Sequence, residues 1–240
     1  PVMGQNTQLK QKLTGTVTLT GNSQTVNLGT NVSMNRSILL FSLQVDSGAP
    51  SDFLIGGELS TSSSLTFTRD GNGSTATINW QVLEFTGVSG ITVQHGSTAN
   101  AGTATNVPIT SVDLAKSFPI LSFYNNGGAF GNDDLLRAEL TSATQLTLSS
   151  GAGGITEAYW QVVECDACTV QEVNSTINAG DLSASATITA VDLSKTLLFT
   201  SQQVDGNING YDLPSTELTS TTNLEHTRVG TAQTIDLTTY

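Results

Sequence analysis

The stretch Trp80-Gln81-Val82-Leu83-Glu84-Phe85 returns as Trp160-Gln161-Val162-Val163-Glu164-Cys165, with 80 residues between the tryptophans. A repeat of that length is a whole domain, so the chain must be built from copies of one unit. Upstream segments recur in the same order. Ser37-Ile38-Leu39-Leu40-Phe41-Ser42 answers to Ser117-Phe118-Pro119-Ile120-Leu121-Ser122 and to Thr196-Leu197-Leu198-Phe199-Thr200-Ser201. Ser111-Val112-Asp113-Leu114-Ala115-Lys116 matches Ala190-Val191-Asp192-Leu193-Ser194-Lys195. Gly57-Glu58-Leu59-Ser60 matches Ala138-Glu139-Leu140-Thr141 and Thr216-Glu217-Leu218-Thr219. The matches divide the chain into an N-terminal arm, 1–11, and copies at 12–88, 89–167 and 168–240.

Alternation sets the fold class. Val17 and Leu19 share one face of a strand, Val26 and Leu28 repeat the pattern, and Gly21-Asn22-Ser23 turns the chain between them. The short apolar run Ile38 to Phe41 suits a strand covered on both faces. Thr61-Ser62-Ser63-Ser64 reads as loop, and Leu65, Phe67 and Arg69 then alternate with Thr66 and Thr68. In the tryptophan strand, period two puts Ile78, Trp80 and Val82 on one face, and Ala158, Trp160 and Val162 likewise. Helical periodicity is absent, apart from one possible turn at Val112-Asp113-Leu114-Ala115-Lys116. The expectation is all-β: three tandem antiparallel β-sandwich repeats of about 80 residues, each with a buried tryptophan in its last strand.

The third copy ends early. Simple counting puts Tyr240 in the tryptophan's place and Ile235 in that of Ile155. A rival register sets Thr234-Ile235-Asp236-Leu237 against Thr77-Ile78-Asn79-Trp80. The first is preferred, because one large ring replaces another. Either way the last strand is incomplete. The expectation is that the chain runs on past Tyr240, the alternative being an edge donated by another subunit. Its start at Pro1, without signal peptide or initiator Met, reads as a processed or partial piece.

With 8 Lys and Arg against 20 Asp and Glu, and a net charge of −12, the chain lacks the basic clusters that phosphate binding requires, which argues against nucleic acid. No apolar run is long enough to span a bilayer. Charged residues are only 12% of the chain, so its surface is polar but weakly charged.

Candidate chemistry is sparse. Asp205, Asn207, Asn209 and Asp212 resemble the opening of a calcium loop, with oxygen ligands at alternate positions and Gly210 sixth, but the twelfth residue is Thr216 and the glutamate falls one place late. The loops Asp46 to Asp52 and Asn125 to Asp134 are also acidic and glycine-containing, and a solvated turn explains all three. Cys165-Asp166-Ala167-Cys168 lacks the helix of a redox dithiol and the further ligands of a zinc site. It reads as a structural disulfide or two unpaired thiols at the junction of copies two and three. His95 and His226 occupy non-equivalent positions, leaving a histidine-based triad little to work with. No catalytic residue is assigned. Glu84 with Glu164, and Glu58 with Glu139 and Glu217, read as strand-end residues shared by the fold.

The Trp-Gln-Val-x-Glu strand, the Val-Asp-Leu-x-Lys segment and the Glu-Leu-[Ser/Thr] segment together resemble tandem repeats of phage virion proteins and large bacterial surface proteins, across almost all of residues 12–240. More distantly, an antiparallel unit with a tryptophan near its last strand is similar to the H-type lectin domain, though no sugar-binding residue of that family maps onto this chain. The resemblance implies a non-enzymatic structural protein, virion-borne or extracellular: a fibre, tail or decoration component whose partners are copies of itself or other structural subunits. The alternative is a secreted adhesin or lectin that binds cell-surface glycans. No cofactor is expected beyond possible calcium at the Asp205 loop.

Overall fold

Threonine and serine alternating with apolar residues suit a pleated, half-buried backbone. In the computed structural model, which describes residues 9–46, 48–208 and 212–240, strands dominate. The first six are β1 (Leu9–Leu19), β2 (Ser23–Asn27), β3 (Ser37–Val45), β4 (Gly56–Thr61), β5 (Ser64–Thr68) and β6 (Ala76–Phe85). They form two antiparallel sheets, ordered β1-β6-β3 and β2-β5-β4. β7 (Ile91–Ala101), β8 (Thr105–Pro108), β9 (Ser117–Asn125), β10 (Arg137–Ser142), β11 (Gln145–Ser149) and β12 (Ile155–Cys165) repeat the arrangement as β7-β12-β9 and β10-β11-β8. So do β13 (Val173–Ile177), β14 (Ser183–Thr187), β15 (Thr200–Val204), β16 (Ser215–Ser220), β17 (Asn223–Thr227) and β18 (Ile235–Thr239), as β13-β18-β15 and β14-β17-β16. The helical content among the described residues is three single turns, Met34–Arg36, Pro50–Phe53 and Leu114–Lys116; the last falls in the segment that the sequence marks as one possible turn.

Two boundaries differ from the sequence reading. β1 reaches back to Leu9, so the last three residues of the supposed arm belong to the first sheet, paired as far as Leu9↔Phe85; residues 1–8 lie outside the described residues. The expected loop at 61–64 is a tight hairpin, with only Ser62 and Ser63 between β4 and β5.

Each pair of sheets encloses apolar side chains from both layers. In the first copy Leu19, Leu39, Ile78, Trp80 and Val82 of one sheet meet Leu59, Leu65 and Phe67 of the other. Trp80 and Trp160 are 7% and 8% exposed, as inward-facing residues of the central strand. Room for each indole comes from a glycine directly opposite: Gly15 pairs with Trp80 and Gly96 with Trp160. A Cβ on Gly15 would lie 2.5 Å from Trp80 Cζ2, well inside van der Waals contact.

The ladder corrects the register of the third copy. Ala76, Ile155 and Ile235 open the three central strands, opposite Val45, Asn125 and Val204. Counting from there, Trp80 lies opposite Gly15 and Phe41, Trp160 opposite Gly96 and Leu121, and Thr239 opposite Val173 and Thr200. Thr239, therefore, takes the tryptophan's place, and neither Tyr240 nor Leu237 does. The miscount arises in the second copy, where a bulge between Ile155 and Glu157 inserts one residue. A slip of one turns every side chain to the opposite face. The third copy thus replaces a Gly–Trp pair by a Val–Thr pair, and Tyr240 faces away from its own core.

Arg69 ends the alternation of β5 at 1% exposure. Its guanidinium donates to main-chain oxygens of Gly21 (3.0 Å), Asp52 (3.2 Å), Leu19 (3.4 Å) and Ser74, and to Ser74 Oγ. A planar fork of five donors suits converging loop carbonyls. Arg228 does the same for Asp181, Gln233 and Asn178 in the third copy. The second copy carries Ser150 at that point, one residue past the end of β11.

Candidate interaction surface: the junctions between copies

β3 and β4 are edge strands, so each leaves a row of N–H and C=O groups without ladder partners. The second copy caps both. The Leu39 N–H donates to Gln161 Oε1 (2.8 Å), and Gln161 Nε2 donates to the Leu39 carbonyl (2.9 Å), so a side-chain amide stands in for a neighbouring strand. The Gly57 N–H donates to Ser122 Oγ (3.0 Å), and the same hydroxyl donates to the Gly57 carbonyl (3.2 Å). His95 Nε2 lies 2.9 Å from the Met34 carbonyl and 3.0 Å from that of Ser37. Carbonyls only accept, so this nitrogen carries the proton. Burial pushes the imidazole's pKa below its ordinary value despite the two carbonyls. Beneath these bonds Ile38, Leu40 and Phe85 pack against Ile91, Val93 and Val163. The β3 run is covered on both faces because one belongs to its own core and the other to the next copy.

The second junction follows the same plan. The Ala138 N–H donates to Ser201 Oγ (2.9 Å), which donates to the Ala138 carbonyl (3.2 Å). Ala138 and Gly57 are equivalent, as are Ser201 and Ser122. Pro119 takes the place of Leu39, opposite Val162 as Leu39 is opposite Val82, and has no N–H to clamp. At the position of Gln161 stands Tyr240, whose hydroxyl accepts from the Leu140 N–H (2.7 Å) and donates to Glu172 (2.7 Å). Tyr240 belongs to the second copy's apolar cluster, so that core runs across the junction; Phe118 stacks on Phe199 at 4.7 Å.

Carboxylates crowd both contacts. Burial, then the charge of Glu157, raises the pKa of Glu58. Burial raises that of Glu172, with Glu139 adding to it and the Tyr240 hydroxyl opposing. Tyr159 is pushed up to about 12, mainly by burial. Glu84 and Glu164 close strand ends: Glu84 accepts from the Ser33 N–H (2.9 Å) and pairs with Lys10 (2.9 Å), and Glu164 accepts from the Asp113 N–H (2.8 Å).

Of the calcium-loop candidates, Asp205, Asn207 and Asp212 lie between β15 and β16, and Asn209 falls outside the described residues. Asp205 accepts from the Thr234 N–H (2.8 Å), as Asp46 accepts from Thr75 (3.0 Å), so this carboxylate closes a loop in both copies. Gln233 donates to the Asn207 carbonyl (3.0 Å). Asp212 is fully buried, and the corresponding loops carry Asp52, accepting from Gly73 (2.8 Å), and Asp134, accepting from Gly131 (2.6 Å). Among the described residues no group of three or more His, Cys, Asp or Glu side chains is placed to hold a metal ion. Cys165 and Cys168 form a disulfide, deciding between the two states that the sequence leaves open. His226 is wholly buried in the third copy, opposite Thr216, where the other copies have Phe67 and Leu148; its Nδ1 lies 2.9 Å from Thr216 Oγ1 and its Nε2 has no partner.

Sequence reasoning found the segments that hold the junction residues but not their use. The serine closing each Ser-x-x-x-x-Ser-type segment, at 42, 122 and 201, was the available signal. Among the described residues no helix is long and apolar enough to cross a membrane. No protein-family model, no curated protein and no solved structure matches this chain.

Proposed function

We propose that this chain is a non-enzymatic structural component of a virion or extracellular assembly, a fibre, tail or decoration element built from sandwich units in series. The observation that carries this reading is the repeated use of one contact: at both junctions a serine hydroxyl brackets the N–H and C=O of the same edge-strand residue in the preceding copy. Edge strands left bare invite uncontrolled pairing, and here the neighbouring unit is what covers them. The raised carboxyls that elsewhere hint at acid–base chemistry belong, for Glu58 and Glu172, to these contacts. Immunogold labelling of particles and surface filaments from the source, with antibody to this chain, tests the reading. Regular labelling is expected; label confined to soluble material, or saturable binding on a glycan array, overturns it.

A further inference from the structure

The two internal junctions share a plan but differ in counter-charge. At the second, Arg137 pairs with Glu139 (3.4 Å), and Asn174 Nδ2 donates to both Glu139 (3.1 Å) and Glu172 (3.2 Å). At the first, Glu58 holds the place of Glu139, opposite Thr66 as Glu139 lies opposite Thr147, and Gly56 holds that of Arg137. No side chain fits there. A Cβ on Gly56 would lie 2.6 Å from the Tyr159 ring and 3.1 Å from that of Tyr124, so two rings of the second copy occupy the space where an arginine would begin.

Glu58 therefore meets the second copy with its charge uncompensated. The titratable groups around it are Glu157 and Tyr159 from β12, Tyr124 from β9, His95 from β7 and, just past β5, Asp70, which accepts from Thr156. None is a lysine or arginine. Among the described residues neither Glu58 nor Glu157 accepts a side-chain hydrogen bond. His95 lines the same groove as Glu58, a space of about 310 Å3, but its Nε2–H is turned to the Met34 and Ser37 carbonyls.

We propose that Glu58 makes the joint between the first and second copies sensitive to pH: its carboxylate, set against Glu157 across the contact, weakens the joint when charged and lets it close firmly when protonated. Like charges at a partly buried contact disfavour the ionised form. Burial, then the charge of Glu157, holds Glu58 above its ordinary 4.5, so the closed joint binds this proton more tightly than the open one. Closure is thus fully favoured below that ordinary value and loses ground as pH rises through the raised one. His95 works in the opposite sense, because burial lowers its pKa and acid charges a ring that the contact keeps neutral. A measurement on Glu58 has to separate the two.

Amide hydrogen exchange of the full chain provides that separation, because the Leu39 and Gly57 N–H groups are held by Gln161 and Ser122 of the second copy and exchange when the joint opens. The ratio of Glu58→Gln to wild type at one pH cancels both the intrinsic exchange rate and His95. Protection of these two amides should rise by about two- to fivefold in the variant at about pH 7. At about pH 4, where the wild-type carboxyl already carries its proton, the ratio should fall to one. Glu157→Gln, made from the other side of the contact, should give the same gain at neutral pH. The Ala138 N–H, held by Ser201 at the second junction, should not move in either variant. An equal gain at both pH values, no gain from Glu157→Gln, or a matching change at Ala138 overturns the proposal.

Discussion

Giving the first copy the pair carried by the third, Gly15→Val with Trp80→Thr, tests whether the indole and the glycine opposite form one packing unit. Alone, Gly15→Val pushes a side chain into space that the ring already fills: the first added carbon would sit 2.5 Å from Trp80 Cζ2 and 2.8 Å from Cε2. Overpacking of that kind costs about 1–3 kcal/mol. Alone, Trp80→Thr empties the centre of the sandwich and costs about 3–5 kcal/mol. Together the clash disappears and the valine methyls occupy part of the vacated space, so the pair should cost less than the two singles added, by about 1–3 kcal/mol of coupling. Calorimetry of the full chain, with hydrogen exchange on β6 assigning the transition, reads this out; in a unit this small each kcal/mol moves the midpoint by roughly 4–8 °C. Strict additivity would mean that the ring and Gly15 do not form one packing unit.

Gln161→Ala leaves the Leu39 N–H and C=O without their amide partner and should cost about 1–3 kcal/mol, read as faster proteolysis between Phe85 and Ile91 with the second copy's own transition unmoved. Arg69→Lys offers three donors where the loop carbonyls receive a five-donor fork, so lysine should fail to rescue stability; a melt matching wild type would refute that role. Burial holds the His226 pKa below its ordinary value, so the unfolded chain takes up the proton first. The third copy should be at full stability above about pH 6.5 and lose it as pH falls through that value, and His226→Leu should flatten the profile measured by exchange in β17. Tyr240→Phe removes a hydroxyl held by Leu140 and Glu172 and should loosen the second junction by about 1–3 kcal/mol, visible in small-angle scattering as a broader distribution of lengths.

Much of the fold was legible because period-two alternation is a local property. Ile78, Trp80 and Val82 face inward as alternation requires, and Leu65, Phe67 and Arg69 follow the same rule even though the last is a cation. What it is doing there was not legible, since the four residues whose carbonyls it gathers lie at 19, 21, 52 and 74. The Asp205 loop was legible only in outline: its acidic, glycine-containing pattern is local, whereas the Thr234 N–H from which Asp205 accepts lies 29 residues away.

Repetition in the sequence determined that one all-strand unit recurs and that a tryptophan fills its centre in the first two copies, because both depend on spacing along a single strand. The tertiary structure alone decided that Tyr240 belongs to a junction and Thr239 to the core, because one bulged residue in β12 reverses the facing of everything after it. It alone decided, too, that Ser122, Gln161 and Ser201 serve the neighbouring copy, because the groups they satisfy are edge-strand amides 63 to 122 residues distant, and no local pattern records which edge a sheet leaves open.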